Sequence, residues 1–223
     1  MNVRFRSSYT IFANTFLQKY LQANRYQIVV DFLIHSEDAD EYNIAVDRAS
    51  YFMHALCSNA IFVKEDDIEE FPELDNMGCD VIVLPEEPSD QIIGLMVFCK
   101  LNAIMEGRVS VTDVSIKSHV GLDYEYLHNE EEFIGPFEDS GWWNDSDAGI
   151  RNTDNMSDEN HEIYLESLPE WDTIGLGWGE THMINPELRN VHGPKKSVKK
   201  SKKETDTNSG NIVFVDFDKD KKD

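Results

Sequence analysis

Six side chains between positions 119 and 132, His119, Asp123, His128, Glu130, Glu131 and Glu132, are of the types that bind a divalent metal. A centre built from His119, His128 and Glu130 would hold an ion at about 2.0–2.2 Å and activate a bound water, the chemistry of a metal-dependent hydrolase. The spacing fits no such pattern, because neither H-E-x-x-H nor a twelve-residue calcium loop is present. Neither a metal nor another cofactor is therefore expected. Nucleophilic catalysis fares no better: G-x-S-x-G is absent, and Cys57, Cys79 and Cys99 all lie on apolar segments, where thiols are inert. No catalytic residue is assigned, and an enzyme is the less favoured class.

Recognition of another protein is the chemistry these residues suit better. Trp171, Ile174, Leu176 and Trp178 form an apolar island, residues 168–179, inside a polar and acidic stretch, and tryptophans are favoured interface anchors. They dock either on an external partner or on this chain's own domain. Trp142 and Trp143 are further candidate partner contacts, as are Phe214 and Phe217 of the strand-like NIVFVDF, which suits addition to a sheet edge in this protein or another. Asp90, Gln91, Lys100 and Asn102 start or interrupt an otherwise apolar helix and are candidates for an internal polar network.

Charge narrows the partner. Residues 65–189 hold 31 acids against 5 bases, a net −26, whereas residues 1–64 balance and residues 190–223 carry a small basic excess. A concentrated negative field disfavours nucleic acid and anionic membrane and favours a basic protein surface. The lysine run at 195, 196, 199, 200, 202 and 203 reads as a solvated linker or an internal counterweight to that field. Three cysteines without C-x-x-C spacing suggest a reducing compartment. The N-terminus lacks a signal-peptide core, and the longest apolar run, residues 92–99, falls well short of the roughly 20 residues that span a bilayer.

The elements that must position these residues follow from periodicity. Residues 9–22 space their apolar side chains by three and four and predict a helix, 26–35 predict a strand, and 42–56 an amphipathic helix. A short strand at 60–63, an acidic surface loop at 65–75 and a buried strand at 79–84 come next. Ser89 and Asp90 cap a buried helix at 91–105, and 109–116 alternates as a strand with a break in phase at Thr112 and Asp113 that suggests a bulge. Residues 124–143 read as an ordered loop lying on the domain. The expected fold is α+β, a two-layer sandwich of a mixed sheet with two or three helices. It comprises a globular domain 1–143, an acidic then lysine-rich and largely irregular tail 144–210, and a terminal strand-like segment 211–223.

Residues 84–108 (LPEEPSDQIIGLMVFCKLNAIMEGR), with Gly121, Tyr126-Leu127-His128, Gly135-Pro136 and Trp142-Trp143, resemble an uncharacterised family of tailed-bacteriophage proteins over residues 26–143. The resemblance implies a phage-encoded protein acting in the cytoplasm of an infected bacterium and carries no activity with it. The expected function is an acidic protein-protein interaction protein that engages a basic host or phage protein. Its extreme form is a nucleic-acid mimic that inhibits such a protein, a form that requires the acids to line one rigid face. The alternative is a minor virion or assembly component whose tail docks on a neighbouring subunit, and a homo-oligomer is compatible with either.

Overall fold

The chain opens with a long β-hairpin where the apolar spacing predicted a helix. The computed structural model describes residues 3–179, apart from 72, 75, 76, 123 and 153–157. The lysine run, the segment 211–223 and its Phe214 and Phe217 lie outside the described residues. Strand β1 (Val3–Leu17) pairs antiparallel with β2 (Tyr20–Ile34) over its whole length, joined by Gln18 and Lys19, both at positive φ (51° and 66°), the backbone of a two-residue type I′ turn. The helical reading of 9–22 failed because both faces of β1 carry apolar groups. Tyr9, Ile11 and Ala13 enter the main core, while on the opposite face Phe16 enters a second, smaller core and Phe12 stays exposed. Two apolar sets in alternation mimic a three-and-four spacing.

The remaining elements complete a six-stranded mixed sheet in the order β4-β3-β1-β2-β5-β6. Helix α1 (Ala39–Tyr51) is capped by the Asp38 carboxylate, which accepts from the Asp40 amide, and runs into one π-helical turn, Phe52–Leu56. Strands β3 (Ile61–Lys64) and β4 (Val81–Leu84) lie parallel to each other, and β3 lies parallel to β1. Helix α3 (Asp90–Ile104) begins where predicted, with the Ser89 hydroxyl accepting from the Ile92 amide. Strand β5 (Val109–Ser118) carries the expected bulge: Asp113 pairs with Asp31 and Val111 with Phe32, so Thr112 is the extra residue. Helices α1 and α3 cover one face of the sheet, and the core between them makes the protein α+β.

Three expectations give way here. The acidic stretch 65–75 is not simply a loop, since Glu65–Glu70 forms a short helix, α2, whose Ile68, with Phe71 and Leu74 after it, closes the second core over Phe16, Ile61, Val63 and Val81. Acids in a first helical turn meet the positive end of the helix dipole, which favours that outcome. Residues 124–143 supply a sixth strand, β6 (Glu125–Asn129), before becoming an irregular segment with 3-10 turns at Gly135–Phe137 and Trp142–Asn144. Nor does the compact body stop at residue 143. Ile150, Tyr164 of helix α4 (Asp158–Ser167), Trp171 and Trp178 all pack on the main core.

Candidate interaction edge

The two outer strands of the sheet are treated differently. At β4, the Val83 amide donates to Ile150 O (3.2 Å) and Val83 O accepts from the Trp142 indole N–H (2.8 Å), so residues 140–150 close that edge. Trp143 backs this closure by donating to the carbonyls of Phe137 and Asp139, with its ring against Trp142 and Phe137. Both tryptophans are only 3% exposed and serve this chain's own core. Strand β6 ends the sheet on the other side, paired with β5 alone among the described residues. An open edge offers unpaired backbone N–H and C=O groups to another strand.

The surroundings of that open edge are apolar and acidic together. Leu122, Tyr124, Leu127 and Phe133 are 79%, 78%, 65% and 73% exposed, and Glu125, Glu130, Glu131 and Glu132 stand exposed among them. Register explains the alternation. Glu125, Leu127 and Asn129 point to the uncovered face, while Tyr126 and His128 point to α3. Gly94 of α3 lets the helix approach closely: a Cβ there would lie 2.9 Å from Ile116 Cγ2 and 3.2 Å from Tyr126 Cδ1. His128, 2% exposed, packs edge-on against Phe98 with ring centroids 4.6 Å apart. Among the described residues neither of its ring nitrogens has a partner at hydrogen-bond geometry, and Glu132 Oε2 approaches Nδ1 to 3.4 Å. Burial pushes the imidazole pKa below its ordinary value, and the nearby Glu132 and Asp113 carboxylates oppose that shift.

The metal-site residues do not converge. His128 faces α3 opposite Val114 of β5, whereas His119 is exposed five residues further along the chain, roughly 16 Å at strand spacing, and Glu130 lies on the surface. Asp123 lies outside the described residues. No group of three metal-binding side chains forms among those described. The thiols of Cys57 and Cys99 are buried, which pushes both pKa values up, that of Cys99 to about 12, while Cys79, although on an apolar segment, is partly exposed.

Trp171 and Trp178 fold back on the domain. The guanidinium of Arg48, on the buried face of α1, lies 3.9 Å from the Trp178 ring centroid and 4.7 Å from that of Trp171. Its donors reach Leu176 O (2.8 Å), Ile104 O (3.0 Å) and Glu106 Oε1 (2.7 Å), and the Trp178 indole donates to the same Glu106 oxygen. Ile174 is half-buried beside them. Arg48 was not singled out from the sequence, although its phase is the signal: it shares the α1 stripe of Ile44, Ala45 and Ala49.

The four polar residues singled out on α3 do not form one network. Lys100 bonds to Trp142 O (2.7 Å) and Asp145 O (2.8 Å), whereas Asn102 bonds to Phe98 O and accepts from the Val111 amide. Asp90 and Gln91 sit at the other end of the helix, near Gly121 and Tyr126. Ten residues of helix separate the pairs by about 15 Å. The surface acids likewise divide. Glu65, Asp66, Asp67 and Glu86 cluster at the ends of β3 and β4, while Glu125 and Glu130 to Glu132 flank β6, four strands away.

No protein-family profile and no curated protein matches this chain. Among solved structures, an uncharacterized protein from Wolinella succinogenes aligns at 10% identity over 58% of this chain and 99% of that one, with a TM-score of 0.43. A catalytic-residue mutant of the 6-pyruvoyltetrahydropterin synthase of Plasmodium vivax aligns at 11% identity and TM-score 0.37, over 58% and 99%. The 6-pyruvoyl tetrahydropterin synthase of Plasmodium falciparum follows at 10% and 0.36, over 58% and 98%. Likeness at these scores carries no functional argument. No helix of the described residues is long and apolar enough to cross a membrane.

Proposed function

We propose that this chain is an acidic protein-protein interaction module that accepts a basic, extended segment of a partner along the open edge of β6. The observation that carries the reading is the asymmetry of the sheet: the β4 edge is closed by residues 140–150, and the β6 edge is open among the described residues. Added strands gain affinity from main-chain hydrogen bonds and specificity from alternate side chains. Leu127 and Phe133 supply apolar contacts, and Glu125 with Glu130 to Glu132 select lysine and arginine. Two copies pairing through β6 would bring these acids together, which disfavours self-association there. The division of the acids between opposite edges counts against the rigid nucleic-acid mimic. The resemblance to tailed-phage proteins supports a setting in the host cytoplasm, with a host protein as partner.

The test is titration of the full chain with an eight-residue peptide of alternating lysine and valine, followed by amide chemical shifts. Shifts concentrated on β6, weakened by salt and abolished by Leu127→Lys with Phe133→Ser, are expected. Shifts confined to α2 and the 86–87 loop, or none at millimolar peptide, would sink the proposal.

A further inference from the structure

His128 sits beneath the edge just described, in surroundings that favour the neutral ring, because burial outweighs the pull of Glu132, whose Oε2 stands 3.4 Å from Nδ1. The ring is packed against Phe98, and among the described residues neither nitrogen meets a partner at hydrogen-bond geometry, that Glu132 oxygen included. A neutral imidazole tolerates such a site, whereas an imidazolium requires water or a carboxylate. The acids within reach are Glu132, half-exposed in the turn after β6, and Asp113, exposed on β5. Helix α3 offers no relief, since it presents Phe98, and its charged Lys100 is committed to the carbonyls of Trp142 and Asp145. The neighbouring Tyr126 side chain is engaged with Gln91.

Geometry decides what a proton does. His128 and Leu127 point to opposite faces of β6, so within an intact strand the imidazole stays on the α3 side, against Phe98. Five residues long and paired on one side only among the described residues, β6 is also the less supported end of the sheet. We propose that His128 is an acid-operated release: protonation drives the ring out from Phe98 toward water, because Glu132 and Asp113 offset its burial only in part, and detaches β6 from the sheet. Detachment withdraws the binding edge, an inference that rests on the edge being the docking site. Partners would then be held at neutral pH and released in mild acid.

The experiment reads the strand itself and needs no partner. Amide hydrogen exchange of the full chain, corrected for intrinsic rates, is compared between pH 7.5 and 5, with the His128 Cε1 proton resonance followed in parallel. Protection of residues 125–129 should fall at least tenfold with the same midpoint as the resonance, while β2 amides hold. His128→Phe should abolish the fall. The surface variant Glu132→Gln, which leaves the buried ring in place, should move the midpoint to lower pH. Constant protection through pH 5, an equal fall in His128→Phe, or an unmoved midpoint in Glu132→Gln would overturn the proposal. Absence of peptide binding at pH 7.5 with the exchange result intact would instead overturn only the docking reading.

Discussion

Arg48 and Trp178, 130 positions apart in sequence, stack with 3.9 Å between the guanidinium carbon and the ring centroid. Arg108 lies on the same ring at 4.2 Å, and the Trp178 indole and Arg48 share one oxygen of Glu106. The carbonyl of Leu176 completes a cage that holds Arg48 at 2% exposure. Burial, with a smaller push from the Arg108 charge, moves the pKa of Arg48 down, and Glu106 counters this. A buried cation with most of its donors satisfied is stable only while its cage is intact.

Trp178→Ala should therefore cost about 2 kcal/mol, the sum of a desolvated cation-π contact and partial loss of apolar packing. Arg48→Met removes the cation that needs the cage, and in that background the same tryptophan substitution should cost much less. A double-mutant cycle by urea denaturation should return a coupling of about 1–2 kcal/mol. Coupling near zero would mean that the tryptophan segment lies on the domain without holding it.

Gly94→Ala sets two effects against each other. Alanine gains about 1 kcal/mol of helix propensity over glycine. Its Cβ, however, would sit 2.9 Å from Ile116 Cγ2 and 3.2 Å from Tyr126, inside a packed layer, and overpacking costs about 1–3 kcal/mol. The clash should win, lowering the thermal midpoint and loosening β6 more than β2 in hydrogen exchange. A raised midpoint would show that α3 and β5 can part without cost.

These contacts mark what could be read from sequence and what could not. The strand β2, the capped helix α3, the β5 bulge at Thr112 and the α+β architecture were legible because each is written in a local period or a capping residue. The hairpin was not, since Phe12 and Phe16 give β1 an apolar second face and the positive-φ turn falls on Gln18 and Lys19 rather than on glycine or asparagine. The anchoring of residues 168–179 was legible only as a choice between a partner and the domain itself. Its decision lies in a single arginine on the wrong face of α1. The open edge was hidden for a topological reason: which strand ends a sheet depends on pairings between distant segments, here β6 with β5 and β4 with β3.

Lys100 offers a prediction whose sign follows from linkage. Its ammonium is fully buried and pins residues 142–145 through two backbone carbonyls, with Asp147 Oδ1 at 3.7 Å. Burial lowers its pKa to about 8, and the nearby carboxylates of Asp147 and Asp145 recover only part of that shift. Between pH 8 and the ordinary lysine value near 10.4, the unfolded chain holds a proton on this residue that the folded chain has released, so stability rises with pH across that window. The total rise is about 3 kcal/mol at 1.36 kcal/mol per pKa unit. Lys100→Met should remove the rise, leaving a difference curve against the parent that climbs from pH 8 to pH 10 and is flat below pH 7.5. Below pH 7.5 the variant loses two hydrogen bonds but also an only partly compensated buried charge, so the two should lie within about 2 kcal/mol of each other there. Urea denaturation at pH 7, 8.5 and 10 measures both quantities. A difference curve that is flat throughout would mean that Lys100 keeps its proton in the folded state, held by the Trp142 and Asp145 carbonyls more strongly than burial opposes.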